Sequence, residues 1–136
     1  MTKSTLASTL ALLLALPVAG LFAADTPPAL FTRTILQDQD IAAAGHHVVI
    51  AQVDFKKDAM VPAHTHPGEE CGYLIEGTVI VAIAGQPPKT IKAGEAFVIP
   101  AGAVHSARNV TGGPARLVAN YILEKGKPLA TPVAAK

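Results

Sequence analysis

The sequence predicts an all-β protein, and three observations lead to this fold class. From residue 31 onward, short apolar runs are separated by turn residues, as is typical of a sandwich or barrel. Glycine and proline mark the later breaks, at Gly85-Gln86-Pro87-Pro88, Ala93-Gly94 and Thr111-Gly112-Gly113-Pro114. No stretch has a sustained helical period, and no internal repeat is visible. We therefore expect a single all-β domain.

Nine runs are interpreted as strands of one domain over residues 31–124. Before them, Pro27-Pro28 favours extended chain, so residues 25–30 are interpreted as a linker. After them, residues 125–136 are interpreted as a tail that lies over the surface or over a neighbouring subunit. The predicted strands are Thr32–Leu36, His47–Phe55, Met60–His66, Glu70–Glu76, Thr78–Ala84, Lys89–Ile91, Ala96–Ile99, His105–Asn109 and Arg116–Leu123.

Residues 1–24 have the composition of a secretory signal peptide. Lys3 is the only charge before Asp25, Leu10–Leu16 is an unbroken apolar run, and small residues end the segment at Ala23-Ala24. The run is too short to span a bilayer, which disfavours the alternative of an uncleaved anchor. We expect cleavage within about Gly20–Ala24 and a periplasmic or secreted protein.

The charge of the chain limits the classes of partner that it could bind, and its cysteine content limits the covalent cross-links that it could form. Without Lys3, the chain has ten basic and ten acidic residues, so it lacks the basic face that a nucleic acid or an anionic membrane would need. About 112 residues remain after the leader, enough for one domain with a modest core. Cys71 is the only cysteine, so no intramolecular disulfide can form.

Two histidines and a carboxylate lie close together in the stretch from Met60 to Gly77. His64 and His66 are two apart and therefore point to the same side of a strand. A Pro-Gly turn then brings Glu70, on the next strand, to face the same point. His105, after a Pro-x-Gly turn, is the candidate for a third imidazole. Such a set suits a divalent first-row metal ion.

The same residues carry a resemblance to a known family. His64-x-His66-x3-Glu70-x6-Gly77 resembles the first signature of the cupins. Gly94-x5-Pro100-x-Gly102-x2-His105-x3-Asn109 resembles the second. The resemblance extends over roughly residues 30–124. It implies a single cupin double-stranded β-helix, a jelly-roll-like barrel, with one metal ion held by His64, His66, Glu70 and His105. It allows iron, manganese, nickel, copper or zinc.

Strand alternation predicts which side chains share the inner face with the ligands, and it indicates a mainly apolar lumen. Cys71 has the opposite parity from Glu70, so it should point away from the metal and act as a small buried apolar residue. The residues expected on the ligand side are Met60, Pro62, Gly72, Leu74 and one of Phe97 or Val98.

Both faces of the strand from Thr78 are apolar, a pattern typical of strands that are covered on both sides. In a single small barrel this indicates that a second sheet or another subunit packs on the outside. Many cupins form dimers, so the resemblance also favours a homodimer. The two faces are Val79, Val81 and Ile83, and Ile80, Ala82 and Ala84.

Several other polar residues have chemistry that could serve a site. We expect His46 and His47 to have no site role, and Asn109 to stabilise a turn although Asn109-Val110-Thr111 is formally a glycosylation sequon. Asp54, Glu69 and Glu95 are interpreted as peripheral. Four side chains have the chemistry to orient an anionic or phenolic substrate, but the sequence does not place them near the ion: Tyr73, Tyr121, Arg33 and Arg108.

Three histidines and one carboxylate leave one or two open positions on a five- or six-coordinate ion, which is typical of catalytic rather than closed structural sites. Hydrolytic or decarboxylating chemistry would need a further acid or base, and none is evident, which disfavours an oxalate-type activity. We therefore expect an exported metal-binding cupin that acts as a dioxygenase-type oxidoreductase on a small organic substrate. The alternative is a binding module that holds a metal ion or a small molecule without turnover.

Overall fold

The computed structural model describes residues 30–134, and every regular element in that range is a β-strand. The predicted leader, most of the predicted linker, and the last two residues of the tail lie outside the described residues. The strands are β1 Phe31–Asp40, β2 His46–Phe55, β3 Met60–Thr65, β4 Gly68–Glu76, β5 Thr78–Ile83, β6 Lys89–Lys92, β7 Ala96–Ile99, β8 His105–Asn109, β9 Ala115–Glu124 and β10 Thr131–Pro132.

The ten strands form two five-stranded antiparallel sheets that face each other. Sheet A has the order β1-β2-β9-β4-β7, and sheet B has the order β10-β3-β8-β5-β6. Consecutive strands are largely distributed between the two sheets, as in a jelly-roll barrel. The predicted all-β jelly-roll fold is confirmed.

The core lies between the sheets because the strands alternate in burial. On β9, every second residue from Ala115 to Leu123 is buried, and on β2 the buried residues run from Val49 to Phe55 in the same alternation. Leu74 from β4 and Val79 from β5 are completely buried between the sheets. Period-2 alternation is the expected pattern for strands with one face on a core.

All nine predicted strands are present, and the main differences are at the ends of the chain. β1 continues to Asp40 because a bulge between Ile35 and Gln37 lets it stay paired with β2. β10 is an additional strand that the sequence pattern did not predict: Thr131 and Pro132 pair with Thr65 and His64 of β3. The tail therefore lies along the barrel of its own chain as far as it is described.

The predicted orientation of Met60 and Pro62 is wrong. Three residue steps on β3, from Val61 to His64, face only two on β8, from Ala107 to His105. This extra residue is a β-bulge, and it contains Pro62, which has no N–H for the ladder. The bulge reverses the parity, so Val61 rather than Met60 shares the inner face with His64, and Met60 is half exposed.

Of the two predicted covers for the outer face of β5, a second sheet is not found among the described residues. Val79 and Val81 are buried in the core, but Ile80 and Ala82 are only half-buried, and the second sheet packs on the opposite side. The apolar outer face is therefore left partly accessible in the single chain.

Asn109 stabilises a turn, as predicted. It is fully buried, and its side-chain nitrogen donates to the carbonyls of Lys56 and Gly113 at 2.9 and 2.8 Å. Its side-chain oxygen accepts from the amide of Thr111 at 2.8 Å. Gly77 is needed beside it, because its φ is +88° and a Cβ there would lie 2.7 Å from that of Ala115.

Between residues 30 and 134, no helix is present that is long and apolar enough to cross a bilayer.

Candidate metal centre

Four side chains from both sheets meet inside one end of the barrel. His64 lies on β3, His66 directly after it, His105 at the start of β8, and Glu70 on β4. All four are buried, and one donor atom from each lies within 4.8 Å of the others. His64 and His105 are cross-strand partners, and Glu70 reaches the same point from sheet A. The structure thus brings together all four residues that the sequence singled out.

Each imidazole is oriented by a backbone carbonyl. Nδ1 of His64 lies 2.7 Å from the carbonyl oxygen of Pro62, and Nδ1 of His105 lies 2.9 Å from that of Ala103. Nδ1 of His66 lies 2.5 Å from the carbonyl oxygen of Leu129 in the tail. Because a carbonyl only accepts, Nδ1 carries the hydrogen in each ring, and Nε2 is the free acceptor of the neutral ring.

The free acceptors point at one another. Nε2 of His64 is 3.1 Å from Nε2 of His66, and Oε2 of Glu70 is 3.1 and 3.2 Å from Nε2 of His66 and His105. Acceptor atoms at this separation repel unless a cation lies among them. Two ligand atoms about 2.1 Å from one ion, at right angles, lie about 3.0 Å apart. The donor set therefore fits a metal ion.

The protonation states support the same interpretation. Burial lowers the pKa of His64 to about 4, against an opposing hydrogen bond to Pro62, so this ring is neutral near pH 7. Burial alone would raise the pKa of Glu70, but in the metal-free cluster Nε2–H groups on His105 and His66 outweigh it and lower that pKa to about 2, and these ring protons leave when a metal ion binds. Neutral imidazoles and an ionised carboxylate are the forms that bind a metal ion.

The space beside the four side chains is narrow and apolar. The inner cavity has a volume of about 20 Å³, room for about one water-sized group. Phe97 lines it, as one of the two predicted alternatives, whereas Val98 faces outward and is 59% exposed. The other large apolar side chains that line it are Val53, Phe55, Val61, Val81 and Leu117.

A family model, the Cupin domain, matches residues 51–121, just over half of the chain, and this range contains all four side chains. The chain belongs to the cupin family.

Among curated proteins, this cupin is similar to germin-like protein 1-1 of Oryza sativa subsp. japonica, with 35% identity over 79 residues. That match covers 54% of this chain and 37% of the relative. The chain thus spans little more than a third of the length of that relative.

Solved structures share the fold. An oxalate oxidase in complex with the substrate analogue glycolate matches with a TM-score of 0.63 and 28% identity, covering 78% of this cupin and 56% of the oxidase. A cupin-like protein from Thermotoga maritima matches with a TM-score of 0.64 and 18% identity, covering 77% and 80% of the two chains. The second likeness concerns the fold alone.

Two of the four substrate-orienting candidates lie at the site of this cupin. Arg33 and Tyr121 both line the inner cavity, and the Tyr121 ring lies 4.7 Å from that of His66, between centroids. Burial, together with Glu70, raises the pKa of Tyr121 above its ordinary value, so its hydroxyl stays protonated. Tyr73 and Arg108 are exposed on the outside of the barrel.

The remaining candidates lie away from the cavity. His46 bonds to the carbonyl of Ala44, and His47 lies 2.7 Å from Asp38. Cys71 points away from the cluster, as expected, but it is half-buried rather than buried. Asp54, Glu69 and Glu95 are placed outside the cavity, where Asp54 pairs with Arg116 and Glu95 accepts from the Lys92 amide.

The backbone groups that orient the rings were not predictable from residue type. The carbonyl of Leu129 is 63 residues from His66 in the chain, and nothing about a leucine marks this role. One backbone contact of the site does have a partial sequence signal, the Pro100-x-Gly102 turn before His105. The Gly102 amide in this turn donates to the His66 carbonyl at 2.9 Å.

Proposed function

We propose that this cupin binds one divalent transition-metal ion through His64, His66, Glu70 and His105. The observation that carries the proposal is the convergence of three Nε2 acceptors and one carboxylate oxygen, each ring being held by a carbonyl at Nδ1. Hydrogen bonds of this kind, made by the ring nitrogen that faces away from the ion, fix the tautomer and the orientation of metal-binding histidines.

The ion is iron, manganese, nickel, copper or zinc, since imidazole and carboxylate ligands suit all five. A protein exported unfolded acquires its ion outside the cytoplasm, where the affinity order favours copper and zinc over iron and manganese. The ion found in the protein from its native compartment is therefore informative about its chemistry.

We further propose a dioxygenase-type oxidoreductase that acts on a small organic substrate. A redox-active ion, when bound, supplies Lewis-acid and electron-transfer chemistry for reactions with dioxygen. The chain supplies a narrow cavity with mainly apolar walls, a protonated phenol on Tyr121 and a cationic group on Arg33. Within residues 30–134, no further carboxylate lines this cavity besides Glu70, which disfavours acid–base hydrolysis.

A second candidate function is a binding module without turnover. The volume of about 20 Å³ beside the four side chains favours it, since only one small group fits there. Such a module would hold a metal ion, or an ion with one small ligand.

The setting of this activity is also a proposal. The leader composition supports a periplasmic or secreted protein that is free of the membrane after cleavage, and the balanced charge supports a small molecule rather than a nucleic acid as partner. A homodimer is supported by apolar side chains on the outer face of sheet A, where Tyr73, Val98 and Ile122 are 49%, 59% and 38% exposed.

Elemental analysis of the protein from its native compartment, purified without added metal, tests the metal site. About one iron, copper, nickel or manganese ion per chain supports a catalytic centre, whereas zinc alone favours the binding module. A protein with no metal that also fails to take up any of the five ions contradicts the site. Substrate-dependent oxygen uptake by the metal-loaded protein then separates the enzyme from the module.

A further inference from the structure

Arg33 lies where the inner cavity meets a second, larger space. This second space, which we name the vestibule, has a volume of about 220 Å³ and is lined by Phe31, Pro62, Ala63, Ala130 and Pro132. Arg33, Val61 and His64 line both the vestibule and the inner cavity. A molecule that approaches the four site residues from the vestibule therefore passes Arg33.

The Arg33 side chain has a buried donor with no partner among the described residues. Its Nε is buried and makes no hydrogen bond. Among the described residues, no carboxylate lies within ion-pair distance of Arg33, whereas Arg116 and Lys125 are both paired. Its guanidinium carbon is 5.8 Å from the centre of the Tyr121 ring, a cation–π contact, and the guanidinium also lies close enough to the Tyr121 hydroxyl to interact with it, so Nε is the donor that stays without a partner. A buried donor without a partner is costly unless a ligand supplies the acceptor.

The two spaces differ in what they can hold. The inner cavity has room for about one water-sized group, whereas the vestibule, at about 220 Å³, is larger than the roughly 150 Å³ of a cavity that holds benzene. Besides Arg33 and His64, the vestibule is lined by apolar side chains and by Ala63, Ala130 and two prolines. Its walls come from β1, from the bulge of β3 and from the tail at β10.

We propose that Arg33 binds the carboxylate of a substrate whose apolar body occupies the vestibule. A planar guanidinium pairs with a carboxylate through two parallel hydrogen bonds, and the Nε edge is one side of that fork. The apolar walls favour an aromatic or branched aliphatic body over a second charged group. The proposal deepens the proposed function, because it names the substrate class of the same site.

Benzoate is the probe, with benzamide as the neutral match, and binding to the zinc-loaded mature chain is measured by titration calorimetry. We expect benzoate to bind the wild type about ten-fold more tightly than it binds Arg33→Gln, since a charged hydrogen-bond pair is lost. The matched control, Arg108→Gln, removes an exposed arginine from β8 and should bind benzoate like the wild type. Equal binding of benzoate to the wild type and Arg33→Gln overturns the proposal, as does equal binding of benzoate and benzamide to the wild type.

A second variant tests the vestibule. Ala130→Phe fills part of this space from the tail. It should weaken benzoate several-fold and leave acetate unchanged, because acetate has no body to displace. Thermal melts of all variants establish that they are folded. If Ala130→Phe weakens acetate and benzoate equally, the apolar body does not occupy the vestibule, and that part of the proposal is wrong.

Metal content is measured in each preparation, so that a failure of the proposed metal site can be distinguished from a failure of the proposed carboxylate subsite at Arg33. A wild type without zinc contradicts the metal site, but a loss of benzoate binding in Arg33→Gln on the same preparations still supports the arginine. Full zinc content with no effect of Arg33→Gln contradicts the carboxylate subsite alone.

Discussion

His105 and Asn109 stand four residues apart on β8, both buried and both on the inner face, yet their polar atoms are used differently. The side chain of Asn109 makes three hydrogen bonds, all to backbone groups of its own chain. His105 uses one ring nitrogen in this way and directs the other at Glu70 and the neighbouring imidazoles. The polar atoms at the Asn109 end of the strand are satisfied within the fold, whereas the His105 end directs an acceptor atom into the candidate metal centre.

The difference separates structural from ligand-binding polar residues. A buried polar group whose partners are all in the chain contributes to stability. A buried cluster whose acceptors face one another costs stability in the free protein and gains it back when a cation binds. Burial alone does not distinguish the two; the direction of the remaining lone pairs does.

The largest effect is expected from His66→Ala, which removes one ring of the acceptor cluster. Metal content should fall from about one ion per chain to near zero, while the barrel stays folded, because the ring does not belong to the apolar core. Elemental analysis and circular dichroism measure the two quantities. His47→Ala is the matched control, since His47 bonds to Asp38 away from the site, and it should keep its metal. Full metal content in His66→Ala would show that the ligand assignment is wrong.

Asn109→Ala should have the opposite effect to His66→Ala, with a loss of stability and no loss of metal. It leaves the carbonyls of Lys56 and Gly113 and the Thr111 amide without their partner, so the free energy of unfolding should fall by about 3 kcal/mol. Urea unfolding of chelator-treated protein measures this. Asn120→Ala removes a single half-exposed hydrogen bond and should cost less than about 1 kcal/mol. If Asn109→Ala keeps its stability and loses its metal, the distinction between a structural Asn109 and a metal-binding His105 is wrong.

The free energy of unfolding of the metal-free protein should depend on pH, and His64 in the candidate metal centre should be the main cause. The pKa of His64 is about 4 in the fold and 6.5 in an unperturbed ring, so the unfolded chain binds more protons between these values. The free energy of unfolding should therefore fall as the pH drops from 6.5 to 4, by about 2 kcal/mol after allowing for solvent screening. Urea unfolding at each pH measures it.

His64→Gln is the control for this pH dependence, because glutamine does not titrate. The metal-free variant should lose much of the slope between these two pH values. An unchanged slope in His64→Gln would assign the pH dependence to other groups. Asn109→Ala removes no titratable group, so it should lower the free energy of unfolding by the same amount at every pH.

The smallest effect is expected from Glu69→Gln. Glu69 neighbours Glu70 but faces outward and is exposed, so stability should change by less than about 0.5 kcal/mol and metal content should not change. Glu70→Gln, measured beside it, should lower the metal content. Equal metal loss in both variants would mean that charge in this stretch matters rather than the face on which the carboxylate lies.

The site could be predicted largely because its residues follow local rules. His64 and His66 share a face by strand alternation, and Gly72 and Leu74 lie with Glu70 on the buried side of β4, as predicted. The same rule failed for Met60 and Pro62, because alternation holds only for an unbroken strand and the bulge at Pro62 shifts the register by one residue.

By itself, the sequence determined the strand-forming runs, the two histidine-bearing motifs and the turn-stabilising role of Asn109, since each depends on residue type at short spacing. Only the tertiary structure decided that Arg33 rather than Arg108 lines the cavity, and that the Leu129 carbonyl orients His66. The physical reason is that both facts depend on long-range contacts. The position of β1 follows from its pairing with β2, and a backbone carbonyl is the same chemical group in every residue.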